Sequence, residues 1–265
     1  MKIFLTGATG FVGSYFLRKA LIDGHEIVAL RSRSSSFPVL SLPKEPQWLD
    51  KNLGELVPED IQDCAAVVHT ASAGVPPKKV PWIEMVQTNV MGAASLIDIS
   101  RHAGIERFIA SGTYQELGKS FLRFKDNLEE APLAPYSLYG ASKASGFHLL
   151  SAYAIAHKME LYYPRITHVY GIGAPEKSFW CALRSAALEG SDFKMSIGDQ
   201  IVDYIHVEEV ADKLLQGCTS YDLKKGEPMV ELIGSGRVQS LLDFAQLEWE
   251  KLGAAGRLLP GQYTG

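Results

Sequence analysis

The chain has 265 residues, 46% of them apolar and 21% charged, and a formal net charge of −4. This composition excludes a disordered or fibrous protein and fits one large α/β domain, alone or with a small second lobe. The mildly acidic balance provides no field that attracts nucleic acid or a membrane surface, so neither is expected as a partner. Three separated cysteines without CxxC spacing indicate neither disulfides nor zinc and favour a reducing, cytoplasmic compartment.

Strand-like and helix-like segments alternate from the first residues onward. The apolar run from Ile3 to Leu5 ends in glycines, and apolar residues then recur at helical spacing from Phe11 to Leu21. Apolar strands separated by helices indicate a parallel sheet that is covered on both faces. The further strands and helices predicted in this half are Glu26–Leu30, Ala65–His69, Trp82–Ser100, Arg107–Ala110 and Gly140–Lys158.

The pattern loosens into glycine-containing segments after a further predicted strand, Leu161–Val169. The sequence therefore predicts a Rossmann-type doubly wound parallel sheet with a small intercalated C-terminal substrate lobe. Residues 1–170 are expected to form the dinucleotide-binding domain, with part of 200–220 returning to it, and residues 171–265 the smaller substrate-binding lobe. The elements predicted in the second half are Ser178–Leu188, Asp203–Val207, Val207–Cys218 and Leu241–Leu252.

A glycine-rich segment with GxxGxxG spacing joins the first predicted strand to the first helix. Glycine lets the backbone turn sharply and approach a pyrophosphate, whose charge is met by the helix N-terminus. Because the motif lies at a strand–helix junction, it predicts dinucleotide binding, with a purely structural turn as the alternative. The predicted contacts are Gly7, Thr9, Gly10, Phe11, Val12 and Gly13.

The segment TGATGFVG resembles the opening of the extended short-chain dehydrogenase/reductase family, which contains nucleotide-sugar epimerases and dehydratases. The resemblance continues in order through HTAS at His69, Asn89, SGT at Ser111, YGASK at Tyr139, RITHVYG at Arg165 and DYIHVEEV at Asp203. It covers almost the whole chain and implies a nicotinamide dinucleotide and a nucleoside diphosphate sugar as ligands. The further cofactor contacts that it implies are Thr70, Ala71, Ser72, Ser111, Tyr139, Lys143, Ile166 and His168. The substrate contacts that it implies are Thr113, Tyr114 and His168.

Tyr139 and Lys143 are four residues apart, so at the start of a helix their side chains share one face. A tyrosine hydroxyl with a pKa of about 10 is a poor base at neutral pH, but an adjacent ammonium lowers that pKa. Thr113 follows a predicted strand at the edge where parallel sheets bind ligands, and its hydroxyl is expected to hold the substrate oxygen. All three are predicted to be catalytic. The alternatives are a solvated tyrosine and lysine and a capping threonine.

The two residues that follow Thr113 restrict the type of reaction that the site can catalyse. The family's 4,6-dehydratases have an acid pair there, whereas this chain has Tyr114 and Gln115, and it lacks the cysteine that combined epimerase-reductases have near Gln115. The remaining residues fit hydride transfer at one carbon. We therefore expect an NADP(H)-dependent reductase. The resemblance implies a 4-keto-6-deoxy nucleotide sugar of deoxysugar biosynthesis as its substrate. A nucleotide-sugar 4-epimerase and a non-catalytic dinucleotide sensor remain alternatives.

The second predicted strand is followed by Arg31, Ser32 and Arg33, and no carboxylate stands at that turn of the sequence. An acidic residue at this place commonly binds the ribose hydroxyls of NAD, whereas an arginine accommodates a 2′-phosphate. The two guanidinium groups therefore predict NADP as the cofactor, with NAD as a possible alternative. The other interpretation is a solvated basic loop. Asp50 and Asn52 are expected near the adenine.

The predicted substrate lobe departs from the family at two positions. His168 replaces a frequent asparagine, and Val202 replaces an arginine that commonly meets the diphosphate. The chain after Tyr221 is also short for the family, so part of the nucleotide pocket is expected to be missing or supplied differently. Lys177 and Arg184 are candidate anion contacts or, alternatively, surface charges. No histidine and carboxylate spacing suggests a metal.

Assembly is expected to follow the family, whose members commonly pair through the two helices that flank the catalytic strand. Here these are residues 82–100 and 140–157. The second helix carries apolar residues on more than one face, so that the sheet cannot cover them all. They are Phe147, Leu149, Leu150, Tyr153, Ala154 and Ile155. A homodimer is therefore expected, and coverage by the chain's own second lobe is the alternative.

Overall fold

A computed structural model describes residues 1–76, 78–122 and 131–263. Within these ranges the strands, numbered in chain order, are β1 Lys2–Thr6, β2 Glu26–Arg31, β3 Gln47–Asp50, β4 Ala66–His69, β5 Arg107–Ala110, β6 Gly112–Thr113, β7 Glu160–Ile166, β8 His168–Tyr170, β9 Phe193–Met195, β10 Ile201–Val202, β11 Tyr204–His206, β12 Met229–Ile233, β13 Gln239–Ser240 and β14 Leu258–Pro260. The helices are α1 Phe11–Ile22, α2 Trp82–Met85, α3 Ala93–His102, α4 Leu138–His157, α5 Phe179–Glu189, α6 Val207–Thr219 and α7 Leu241–Lys251.

Eight strands form one parallel sheet in the order β12-β7-β5-β4-β1-β2-β3, with β6 extending the pairing of β7. Ile3, Phe4 and Leu5 of the central strand β1 are completely buried, as expected for a strand that is covered on both faces. The carboxyl ends of parallel strands meet at one edge, where such sheets bind ligands. The predicted α/β class with a doubly wound parallel sheet is confirmed.

Two adjacent tyrosines of β7 show how both faces of this sheet are covered. Tyr162 and Tyr163 are fully buried and, as neighbours in a strand, point to opposite faces. The Tyr163 ring lies 4.7 Å from that of Phe147 on α4. On the other face, a Cβ placed on Gly217 of α6 would lie 2.5 Å from the Tyr162 ring. Helix α1 packs beside α6, and α3 packs beside α4.

Three strands of the sheet were not predicted, namely β3, β12 and the two-residue β6. β3 and β12 lie at opposite edges, where the residues of each are mostly half-buried or exposed, so neither has a continuous apolar run. The predicted helix 82–100 begins and ends close to the observed bounds but is not uniform. Its middle, Val86–Gly92, is a π-helical segment that joins α2 to α3.

The chain forms two compact units. The first comprises Met1–Ile166 and Val207–Ile233, and the second comprises Thr167–His206 and Gly234–Gly265. The segment that returns to the first unit therefore includes β12 and is longer than the part of 200–220 that the sequence suggested. No helix of the described residues is long and apolar enough to cross a membrane.

The second unit is built from three short strand pairs and two helices. β8 pairs with β11 and β9 pairs with β14, both in parallel, while β10 and β13 are antiparallel. Trp180 of α5 donates its indole N–H to the Glu248 carboxylate of α7 at 3.0 Å. The rings of Tyr204 and Phe244 stack with centroids 3.9 Å apart. Aromatic contacts therefore form much of the core of this small unit.

Candidate active site

The glycine turn between β1 and α1 depends on close backbone packing. Gly7 has a φ of +73°, and a Cβ there would lie 2.6 Å from the Ala71 nitrogen. A Cβ on Gly13 would lie only 2.0 Å from the Gly7 carbonyl oxygen. The Gly10 N–H closes the turn by donating to that same oxygen at 2.9 Å. Gly7 and Gly13 therefore fix the shape of the turn, while Gly10 remains exposed at its surface.

The N-terminus of α1 provides an anion site at this turn. Gly10 is its N-cap, no described side chain caps it, and the first turn contains no acidic residue. The exposed amides carry roughly half a positive charge from the helix dipole. Thr9, Phe11 and Val12 flank these amides and are half-buried. The arrangement fits the pyrophosphate of a dinucleotide, as the sequence predicts.

The carboxyl end of β4 is fastened to β1 beside the glycine turn. The Thr70 hydroxyl donates to the Thr6 carbonyl oxygen at 2.8 Å, and the Thr6 hydroxyl lies 2.7 Å from His69 Nδ1. Burial lowers the pKa of His69 to about 3, with the Lys143 charge contributing in the same direction, so the imidazole is neutral. These bonds hold Thr70 and the adjoining Ala71 at the ligand edge of the sheet.

Asn89, in the π-helical segment, connects this loop to α4. Its buried carboxamide accepts from the Ala73 N–H at 2.8 Å and from the Ser72 hydroxyl at 3.1 Å. The same side chain donates to the Ala73 carbonyl oxygen and to the Ser142 hydroxyl, each at 2.9 Å. Asn89 therefore orients Ser72, which in turn forms a hydrogen bond with the Tyr139 hydroxyl.

Tyr139 and Lys143 lie in the first turns of α4, whose N-cap is Ser137. Lys143 is buried, and its ammonium donates to the Ser111 carbonyl oxygen at 2.7 Å. Burial raises the pKa of Tyr139 to about 12, although its hydrogen bond with Ser72 acts in the opposite direction. Burial also lowers the pKa of Lys143. The lowered tyrosine pKa expected from the sequence is therefore not found, because desolvation of the phenolate dominates and the charge of Glu116 acts in the same direction.

Thr113 ends β6 and caps the short 3₁₀ turn Tyr114–Glu116. Its buried hydroxyl accepts from the Gln115 N–H at 3.4 Å, so the capping role left open by the sequence is present. A hydroxyl that accepts such a bond can still donate its own hydrogen to a substrate oxygen. Thr113 pairs with Ile166, which places both at the carboxyl edge of the sheet.

A buried ion pair supports Thr113, and our sequence reasoning missed it. Glu116 is completely buried and accepts from the Thr113 N–H at 2.8 Å, the Tyr163 hydroxyl at 2.9 Å and Arg165 Nε at 3.1 Å. The Arg165 guanidinium lies 4.6 Å from the centroid of the Phe147 ring. The T-x-x-E spacing of a capping box was the local signal that could have identified Glu116. Nothing local indicated Arg165 as its partner.

The predicted phosphate site after β2 contains a carboxylate from the neighbouring strand. The Arg31 Nε donates to Asp50 Oδ1 at 2.6 Å, and the guanidinium lies 4.5 Å from the centroid of the Trp48 ring. Ser32 and Arg33 are exposed. No acidic residue follows β2 in the sequence within this turn. The pairing of β2 with β3 nevertheless brings Asp50 beside Arg31.

The second unit encloses a cavity of ≈ 520 Å³ that His168 and Val202 line. Burial lowers the pKa of His168. Lys177 and Lys194 are the lysines of the lining, whereas Arg184 is absent from it and lies 5.8 Å from the Trp180 ring centroid. The aromatic residues of the lining are Phe179, Phe193, Tyr204 and Tyr263. No three histidine, cysteine or acidic side chains within the described ranges are grouped so that they could hold a metal ion.

The chain is similar to known nucleotide-sugar enzymes along most of its length. A sequence profile of the NAD dependent epimerase/dehydratase family matches residues 3–230. The low-salt glycan biosynthesis protein Agl12 of Haloferax volcanii is 26% identical over 269 residues, covering 96% of this chain and 84% of that protein. The UDP-glucose 4-epimerase of Corynebacterium glutamicum is 24% identical over 254 residues, covering 89% and 76% respectively. MoeE5 in complex with UDP-glucose and NAD shares the fold, with a TM-score of 0.81 at 24% identity over 99% of this chain and 86% of that one.

Proposed function

The chain belongs to the NAD dependent epimerase/dehydratase family, whose members act on nucleotide sugars, and from this premise we propose a specific reaction. In this proposal the protein is an NADP(H)-dependent oxidoreductase that reduces a keto group of a 4-keto-6-deoxyhexose nucleotide sugar in deoxysugar biosynthesis. One observation carries the proposal. The described site combines Thr113, Tyr139 and Lys143 at the ligand edge of a dinucleotide-binding sheet, while Tyr114 and Gln115 occupy the positions of the dehydratase acid pair.

The side chains of the site suit proton donation to a ketone. A bound reduced nicotinamide would supply the hydride. Tyr139, whose pKa is about 12, carries its proton at neutral pH and gives it to the carbonyl oxygen as the carbon–oxygen double bond becomes a single bond. Thr113 donates a hydrogen bond to the same oxygen. Tyr139 then recovers a proton from water, so that the ketone becomes an alcohol and the enzyme is unchanged.

The cofactor groups proposed here lie around the same sheet edge. The amides of Phe11 and Val12, beside Gly10, would hold the pyrophosphate, and Lys143 would hold the nicotinamide ribose. The predicted preference for NADP(H) depends on Arg31 and Arg33, which would meet the 2′-phosphate. In this proposal NAD(H) binds at the same site as an alternative to NADP(H).

The cavity of the second unit is the proposed site of the nucleoside diphosphate. Its aromatic walls fit a base, and Ser178, the N-cap of α5, lies in its lining with two lysines. Lys177 and Lys194 would supply the positive charge that the family's arginine supplies at the place of Val202. No acidic side chain is among the residues that line this cavity, which favours an anionic ligand.

A nucleotide-sugar 4-epimerase is the second candidate, because transient oxidation and re-reduction needs the same three side chains. The similarity to the Corynebacterium glutamicum UDP-glucose 4-epimerase favours it. A 4-epimerase retains its dinucleotide and consumes no reductant, whereas a reductase consumes one NADPH for each sugar. Stoichiometry therefore separates the two.

We also propose a homodimer through α2, α3 and α4, in a cytoplasmic setting. Trp82 and Ile83 are exposed on α2, Met91 is exposed in the π-helical segment that follows it, and Leu149 and Ile155 are exposed on α4. Exposed apolar residues on two neighbouring helices fit a twofold four-helix contact. Light scattering at micromolar concentration tests this, and a mass of one chain would contradict it.

The reaction is tested by incubating the protein with NADPH and a panel of 4-keto-6-deoxy nucleotide sugars, with UDP-glucose as the epimerase substrate. Loss of absorbance at the nicotinamide wavelength, matched mole for mole by a reduced sugar, supports the reductase. Interconversion of UDP-glucose without NADPH consumption supports the epimerase instead. Tyr139→Phe is the matched control, since it removes only the hydroxyl.

A further inference from the structure

An ion pair at the carboxyl ends of β2 and β3 lies where the adenosine of a dinucleotide, its base and its ribose, is expected. The strand register places Arg31 opposite Asp50. The two side chains are joined at 2.6 Å, and the Arg31 guanidinium also packs over Trp48. Only 12% of the Arg31 side chain is exposed, whereas 49% of the Asp50 side chain is exposed. The carboxylate is therefore the more accessible member of the pair.

We propose that Asp50 is a cofactor-specificity residue, which acts through Arg31 to limit the preference for NADP(H) and allow NAD(H) to bind. The inference rests on the dinucleotide site of the proposed function. Arginine at the end of the second strand accommodates a 2′-phosphate, and a carboxylate at that edge binds ribose hydroxyls. This chain holds one group of each kind in direct contact.

Charge competition is the physical basis of this role. A 2′-phosphate gains affinity from Arg31 only to the extent that the guanidinium charge is not already neutralised. Asp50 neutralises it at hydrogen-bond distance and would itself repel a phosphate placed beside it. The exposed part of the same carboxylate can accept hydrogen bonds from the ribose hydroxyls of NAD(H). Asp50 thus weakens one cofactor and favours the other.

Trp48 makes the role of Asp50 testable by substitution. Its indole face supports the guanidinium independently of the carboxylate, so Arg31 is expected to stay in place when the Asp50 charge is removed. Asp50→Asn keeps the shape of the side chain and a carbonyl oxygen that can accept from Arg31 Nε. The substitution therefore leaves the Arg31 charge without a neutralising partner, while the Arg31 side chain keeps its position.

The test measures binding rather than turnover. The full chain, freed of co-purified dinucleotide, is titrated with NADPH and with NADH while protein fluorescence is followed. Asp50→Asn is expected to raise the ratio of NADPH affinity to NADH affinity about tenfold, and Arg31→Gln to lower it. In the double variant Asp50→Asn/Arg31→Gln, the effect of the asparagine should disappear. Asp63→Asn, an exposed carboxylate that pairs with Lys2, is the control and should leave the ratio unchanged.

Each outcome decides the inference. An unchanged or lowered ratio in Asp50→Asn overturns it, and so does an asparagine effect that persists when Arg31 is absent. If both dinucleotides bind the unaltered protein but the ratio does not respond, only this inference fails. If neither dinucleotide binds, the proposed oxidoreductase function fails together with it. Circular dichroism of each variant verifies that the fold is intact.

Discussion

Two arginine–carboxylate pairs of the first unit have similar geometry but different surroundings. Arg165 and Glu116 are 3.1 Å apart, and Arg31 and Asp50 are 2.6 Å apart. The side chains of the first pair are 4% and 0% exposed, whereas those of the second are 12% and 49% exposed. Burial rather than distance therefore decides what each pair contributes.

The buried pair, Glu116 with Arg165, has a structural role. A carboxylate that loses all contact with water must have its oxygens satisfied, and Glu116 meets this need through Arg165, Tyr163 and the Thr113 amide. The same bonds hold the backbone of Thr113 in place. The exposed pair contributes little to folding but remains accessible to a ligand. Stability and positioning are thus assigned to the buried pair, and the proposed cofactor selectivity to the exposed pair.

The largest expected effect is at Tyr139, the proposed proton donor. Tyr139→Phe removes the proton donor and should reduce turnover by about 10² to 10⁴-fold while dinucleotide affinity is retained. Lys143→Ala should lower both, because we assign the lysine to the nicotinamide ribose as well. Steady-state kinetics and fluorescence titration measure the two quantities. Turnover by Tyr139→Phe within a few-fold of the unaltered protein would exclude the assignment.

Removing the arginine of each pair tests the comparison directly. Arg165→Met leaves Glu116 as a buried, unpaired charge and should reduce the free energy of unfolding by about 3–5 kcal/mol. Arg31→Met should reduce it by at most about 1 kcal/mol, because Asp50 is then rehydrated. Urea denaturation provides both values. Equal losses would show that the different burial of the two pairs has no energetic consequence.

The double variant Glu116→Gln/Arg165→Met refines this result. It removes both charges, so no unpaired ion remains in the interior. We expect it to be more stable than Arg165→Met alone. A double variant that is less stable by the sum of the single losses would contradict a penalty arising from the uncompensated charge.

Acid is expected to destabilise the fold gradually. The folded-state pKa of His69 is about 3, against about 6.5 in the unfolded chain, because the buried imidazole cannot be hydrated when charged. The unfolded state binds the proton first, so this contribution is complete above about pH 6.5 and falls by up to about 1.4 kcal/mol per unit as the pH decreases towards 3. Denaturation at several pH values measures the slope. His69→Gln should reduce it, whereas His157→Gln, at an exposed position, should not.

The smallest expected effect concerns the pH dependence of reduction. The Glu116 charge raises the pKa of both Tyr139 and Lys143. Glu116→Gln should therefore lower the pKa of Tyr139 and move the loss of activity at high pH to lower values, since the donor must be protonated. Asp50→Asn should leave that limb unchanged. Coincident profiles for Glu116→Gln and the unaltered protein would separate Glu116 from the chemistry.

The sequence alone determined those features whose signal is local. The Gly7–Gly13 spacing, the four-residue interval between Tyr139 and Lys143, and the apolar runs of the inner strands depend on turn and helix geometry over a few residues. They predicted the parallel sheet, the glycine turn and the placement of Tyr139 and Lys143 on α4. The edge strands β3 and β12 escaped detection because half-buried strands carry no continuous apolar run.

Only the tertiary structure decided which polar groups meet and how water is excluded from them. Glu116 and Arg165 are separated by 49 residues, and Arg31 and Asp50 by 19, and each pair is brought together by strand pairing or by the turn at a strand end. Register between strands is set by packing of the whole sheet, which no short pattern records. The pKa of Tyr139 likewise depends on burial, so neighbouring residues in sequence indicated the wrong direction of its shift.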